Sequence, residues 1–127
     1  MVSRSLLVCT APFLALAGCF SASTDIDVAL AQSRIAQGWQ VLDVRSASEW
    51  QNGHLEGATR IDIHGQEFAD TAKRTLDPGK PVLIYCRSGV RSAKAAAVLE
   101  KVGFREIATL RGGIIAWQDA GATLVRP

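Results

Sequence analysis

The feature that most constrains the fold is a run of large apolar residues, Pro81-Val82-Leu83-Ile84-Tyr85, with a turn before it and a small polar loop after it. Asp77-Pro78-Gly79 supplies the turn, since proline fixes φ, glycine frees it and aspartate bonds its own backbone. A continuous apolar strand, rather than an alternating one, belongs in a parallel sheet that is covered on both faces. After Tyr85 comes Cys86-Arg87-Ser88-Gly89-Val90-Arg91-Ser92, and an alanine-rich helix is expected from Ser92 to Val102, ended by Gly103. Cys86 therefore falls at the carboxyl end of a central strand, where open α/β sheets bind their ligands.

The rest of the chain repeats this alternation. A helix capped by Asp25 or Asp27 is expected to run to about Gln37, with Gly38 ending it. Strands are expected over Trp39 to Val44, Ala58 to Ile63 and Phe104 to Leu110. Ser46 to Asn52 reads as one or two helical turns closed by Gly53. Gln66 to Thr75 reads as a helix with Phe68, Ala69 and Ala72 inward, and a last helix runs through Trp117 to Asp119. Strands alternating with helices imply one α/β domain with a mainly parallel sheet and helices on both faces. With 127 residues the chain has room for a single core.

The net charge of +2, without a basic run or stripe, speaks against a general nucleic-acid binder. No cluster of His, Cys or acidic residues has metal-ligand spacing, so no metal is expected.

The amino-terminal stretch has its own logic. Met1 to Arg4 is a short basic head, and Ser5 to Ala17 is apolar and uncharged. A bilayer span needs about 20 apolar residues, so this stretch reads as a secretory signal. Leu16-Ala17-Gly18-Cys19 resembles the bacterial lipobox. That resemblance implies removal of residues 1–18, acylation of Cys19, and a tether over residues 19–24. Several acyl chains hold a protein firmly, since each buried CH₂ contributes about 0.8 kcal/mol. Phe20 follows the cysteine, with no aspartate at that position, which by the same resemblance implies sorting to the periplasmic face of an outer membrane. The rival is ordinary cleavage after Ala17 to leave a soluble exported protein. Cys9 lies in the signal and Cys19 at the anchor, so Cys86 is left as a lone thiol in a chain expected to be exported, where cysteines usually pair.

The loop after Tyr85 makes that thiol a candidate nucleophile. A strand that turns tightly into a helix points backbone N–H groups at one spot, and the helix dipole adds positive potential there. Gly89 permits the curvature, and Arg87 and Arg91 add charge. Such surroundings lower a thiol pKa from about 8.5.

The segment CRSGVRS resembles the active-site loop of rhodanese-domain sulfurtransferases. The supporting motifs stand in order: Asp43-Val44-Arg45, Glu49-Trp50, Gly53-His54-Leu55-Glu56-Gly57-Ala58, then the loop, then Arg111-Gly112-Gly113 with Trp117. The likeness spans about residues 25 to 125, within an expected domain over residues 25–127. It implies that Cys86 is the nucleophile and persulfide carrier, and that Arg87, Ser88, Gly89, Val90 and Arg91 form the cradle for the substrate. It implies a small anionic sulfur donor, thiosulfate by family default, a cyanide or thiol acceptor, and no cofactor. A monomer is expected. Asp43 and Arg45 are expected in structural hydrogen bonds near the site, His54 in a structural role, His64 at the surface, and Trp50 and Trp117 in the core. From Cys86 to Arg91 the loop holds six residues, one fewer than in the related dual-specificity phosphatases, so sulfur fits it better than phosphate. Two rivals remain: a sulfur-relay module serving a protein partner, and a thiol enzyme acting on arsenate or phosphate.

Overall fold

The computed structural model describes residues 23–127. The expected signal over residues 1–18, the lipidation site Cys19 and most of the tether lie outside the described residues.

Five strands form one sheet in the order β1-β5-β4-β2-β3: β1 (Thr24–Ile26), β2 (Gln40–Asp43), β3 (Thr59–Arg60), β4 (Val82–Tyr85) and β5 (Ile107–Leu110). Every pairing is parallel. The helices are α1 (Val28–Ala36), α2 (Ala47–Gln51), α3 (Phe68–Thr75), α4 (Val90–Lys101) and α5 (Gly113–Asp119).

β4 is buried at all four positions, which is why it reads as an unbroken apolar run. Its side chains alternate between two cores. Val82 and Ile84 pack with Leu42, Phe68, Ala72, Ala95 and Leu99, under α3 and α4. Leu83 and Tyr85 pack with Ile26, Ala31, Leu110, Ile114 and Trp117, under α1 and α5. Helices thus cover both faces. Fully burying a side chain such as Leu42, Leu83 or Ile84 contributes about 1.5–3 kcal/mol.

Two expectations are corrected. Thr24 belongs to the sheet and not to a tether: β1 pairs with β5 from Thr24 opposite Ala108 to Ile26 opposite Leu110. The first helix then starts at Val28, with Asp27 as its cap accepting from the Leu30 N–H at 2.9 Å, while Asp25 caps nothing and instead holds Arg111 and Thr109. The alanine-rich helix begins at Val90, two residues before Ser92, so the loop passes into the helix directly at Gly89.

The order places β4 between β5 and β2. The chain leaves β2 towards β3 and leaves β4 towards β5, in opposite directions, so the β2–β4 boundary is the point where strand order reverses. Cys86 follows β4 at that boundary.

Candidate active site

Cys86 ends the central strand with 1% of its surface exposed. The loop folds back over it, and the Gly89 N–H points at Sγ from 3.0 Å. Gly89 has φ 120°, in the region that favours glycine, and this turns its amide towards the sulfur. Ser92, fully buried in the first turn of α4, sets its Oγ 3.6 Å from Sγ and donates to the Gly89 carbonyl at 3.0 Å. Burial pushes the Cys86 thiol pKa up. The Ser92 hydroxyl and the N–H groups of Ser92, Gly89 and Ser88 outweigh that push, and the net shift is downward. The sulfur is therefore held for the thiolate.

The residues expected to form the cradle follow Cys86 in the loop and at the start of α4, and their side chains face different ways. Arg87 and Ser88 are exposed, and the Val90 side chain turns outward at 65% exposure. Arg91 faces away from a free role: it makes a bidentate pair with Glu49, Nη1 to Oε1 at 2.7 Å and Nη2 to Oε2 at 2.8 Å. The Arg91 hydrogen bonds hold the Glu49 carboxyl well below its usual range, at about 2, although burial acts against them. Glu49 is also the return arm of a capping box with Ser46 at the start of α2.

The loop is gripped from the other side by the Arg111-Gly112-Gly113 corner. The Ile114 N–H donates to the Cys86 carbonyl at 2.9 Å, and the Ile115 N–H to the Arg87 carbonyl at 3.3 Å. Gly113 makes this approach possible. Its φ is 59°, and a Cβ there would lie 2.4 Å from the Arg87 carbonyl oxygen.

Beneath the site lies a buried polar network. Asp43 and Arg45 form an ion pair at 2.8 Å with side-chain exposures of 0% and 5%. The Tyr85 hydroxyl donates to Asp43 Oδ2 at 2.5 Å and accepts from the Leu55 N–H at 3.1 Å. Arg45 also donates to the Gly53 carbonyl at 2.8 Å. Burial, and then the Asp43 charge, raises the Tyr85 pKa, so the phenol stays a donor. Asp43 and Arg45 thus sit in structural bonding, as expected from the sequence. His54 stacks on Trp50 with ring centroids 3.4 Å apart, and its backbone exchanges both hydrogen bonds with Val125. His64 is exposed, Trp117 is buried, and Trp50 is half-buried against His54. Among the described residues no group of His, Cys, Asp or Glu is placed to hold a metal ion.

Three contributors escaped assignment from sequence. Glu49 and Gly113 stand within quoted motifs, yet their contacts to the loop span tens of residues. Ser92 had a local signal, since a hydroxyl in the first helical turn faces back towards the strand end.

A thiol tuned towards its anion sits at the reversal point of the parallel sheet in this α/β domain. The chain belongs to the Rhodanese-like domain family, whose model matches residues 27–120. It is 33% identical over 105 residues to thiosulfate sulfurtransferase 18 of Arabidopsis thaliana, covering 74% of this chain and 77% of that protein. It is 45% identical over 82 residues to the tRNA uridine(34) hydroxylase of Chlamydia trachomatis, covering 61% of this chain and 25% of that protein. The chain thus matches about a quarter of the hydroxylase's length. Among solved structures it resembles the Rhodanese-like domain of an Anabaena protein, with TM-score 0.73, 26% identity, and coverage of 84% of this chain and 81% of that one. A Rhodanese-like domain protein from Staphylococcus aureus gives TM-score 0.69 and 25% identity, covering 82% of this chain and 98% of that one.

Proposed function

We propose that this protein is a sulfurtransferase that moves sulfane sulfur, with thiosulfate as donor and cyanide or a thiol as acceptor, through a persulfide on Cys86. The observation that carries this reading is the Gly89 N–H aimed at Sγ from 3.0 Å inside a loop whose net effect is to lower the thiol pKa.

The Cys86 thiolate attacks the outer sulfur of thiosulfate. A new S–S bond forms, the S–S bond of the donor breaks, and sulfite leaves with the electron pair. The outer sulfur of Cys86–S–S⁻ now carries the charge, about 2 Å further into the mouth. The amides that faced Sγ, at the positive end of α4, stabilise that anion without reorganising. Cyanide carbon or a thiolate then attacks the outer sulfur. The Cys86–sulfur bond breaks, thiocyanate or a new persulfide leaves, and the thiolate returns. This is covalent catalysis in two displacements.

Incubation with thiosulfate followed by intact-mass measurement tests the reading. The expected result is a gain of one sulfur atom, absent in Cys86→Ser and lost on adding cyanide. Turnover of an aryl phosphate or of arsenate, with no sulfur gained, overturns it.

The reading includes export and attachment to the envelope through acylated Cys19, supported by the lipobox-like Leu16-Ala17-Gly18-Cys19. Among the described residues no helix is long and apolar enough to cross a membrane, so an anchor would have to come from elsewhere. Mass analysis of the amino-terminal peptide from membrane fractions is expected to find acyl chains on a chain beginning at Cys19. A start elsewhere, or an unmodified cysteine, overturns the assignment.

A further inference from the structure

Leu30, Val90 and Ile115 are the exposed large apolar side chains among the described residues. Single exposed apolar residues are ordinary, but two of these three lie on segments that meet at the Cys86 loop. Val90 follows Gly89, whose amide touches Sγ, and is 65% exposed at the first position of α4. Ile115, 39% exposed on α5, is tied to the loop through its N–H bond to the Arg87 carbonyl. Exposed Arg87 belongs to the same loop. Exposed Lys94 stands one helical turn beyond Val90, on the same side of α4. Neither cation forms an ion pair among the described residues, whereas Arg91 is committed to Glu49 and Arg111 to Asp25. The nearest acidic counterpart on α5 is Asp119, a full turn past Ile115.

We infer that this rim docks a protein acceptor, a projecting segment whose thiol is flanked by acidic and apolar residues. The inference rests on the sulfur-transfer reading and names its acceptor class. Cyanide needs neither apolar contact nor a second cation. A polypeptide carboxylate would meet Arg87 and Lys94, and an apolar neighbour would cover Val90 and Ile115. Cys86 is 1% exposed, so a protein thiol reaches the outer sulfur only from a protruding segment. The small area fits a brief encounter in which charge sets the rate and the partner.

The test loads Cys86 from thiosulfate and offers three acceptors: a cysteine peptide flanked by Glu and Leu, the same peptide with Lys for Glu, and cyanide. The expected kcat/KM for the acidic peptide exceeds that for the basic one by about tenfold or more, and the gap narrows as salt rises. Ile115→Ser and Lys94→Glu are each expected to remove most of that gap while leaving transfer to cyanide unchanged. Equal rates for the two peptides, or a preference that survives both substitutions, overturn the inference. If Cys86 takes up no sulfur, the transfer reading falls by itself. The rim is then read by anisotropy of the labelled acidic peptide: binding weakened in Ile115→Ser supports docking, and no binding overturns it.

Discussion

Glu49 and Arg91, 42 residues apart in the chain, are joined by two parallel hydrogen bonds of 2.7 and 2.8 Å. The last residue of the Cys86 loop is thereby fastened to the first turn of α2, and its charge is balanced by a carboxylate. Glu49→Gln removes the carboxylate paired with the guanidinium, leaving Asp62 as a weaker acidic neighbour. Thiosulfate is then expected to bind more tightly, with KM falling about threefold to tenfold at low salt, since an unpaired guanidinium near the mouth attracts an anion. Steady-state kinetics at two ionic strengths read this.

The same pair predicts a pH dependence. The folded Glu49 pKa of about 2 lies below its ordinary 4.5. A depressed carboxyl contributes stability that is fully present above the unfolded value and is lost as pH falls through the folded one. Acid unfolding followed by circular dichroism is expected to show stability falling between about pH 4.5 and 2, with a shallower slope in Glu49→Gln.

Ser92→Ala tests the tuning of the sulfur. Losing the hydroxyl 3.6 Å from Sγ is expected to raise the Cys86 pKa, because burial then meets fewer opposing hydrogen bonds. Sulfur uptake and iodoacetamide alkylation at pH 7 are expected to slow by about tenfold, the low end for a hydrogen bond to a charged group. Alkylation rates across a pH series check it: the wild-type midpoint lies below that of an ordinary thiol and the variant's lies above the wild type's.

Gly113→Ala and Gly57→Ala form a matched pair. Both glycines have positive φ, 59° and 77°, so each alanine carries backbone strain of about 1–3 kcal/mol. Gly57 has open space around its missing Cβ, whereas at Gly113 the new carbon would strike the Arg87 and Cys86 carbonyls. The larger fall in Tm, and a loss of Cys86 reactivity, are expected only in Gly113→Ala.

The buried network predicts an asymmetry. Asp43→Ala strands the Arg45 charge and is expected to destabilise by about 3–5 kcal/mol. Tyr85→Phe leaves the Leu55 N–H without its acceptor and removes one bond to Asp43, at about 1–3 kcal/mol. Urea unfolding of both variants measures the difference.

The central elements were legible because their causes are local. Val82 to Tyr85 is buried on both faces and so carries no polar interruption, and the short helical segment at Ser46 to Asn52 is closed by Gly53. β1 was not legible. It has three residues, of which only Ile26 is buried, and an edge pairing with β5 leaves no period to read. Thr24 therefore looked like tether. The strand expected over Ala58 to Ile63 shrinks to Thr59–Arg60, paired with Leu42 and Asp43, although Ile61 and Ile63 still donate to the Asp43 and Val44 carbonyls. Within the site, Cys86 and Gly89 announced themselves through neighbouring residues. Glu49 and Gly113 act on the loop from 42 and 26 positions away from Arg91 and Arg87, and nothing in a linear reading fixes which glycine must lie against which carbonyl.

The hold of Ile114 and Ile115 on the carbonyls of Cys86 and Arg87 has a temporal side. The strand and loop that carry Cys86 precede α5 in the chain, yet two of the loop's carbonyls find their donors only when that last helix docks. The backbone around Cys86 is thus fully anchored only once the carboxyl-terminal helix has packed against it.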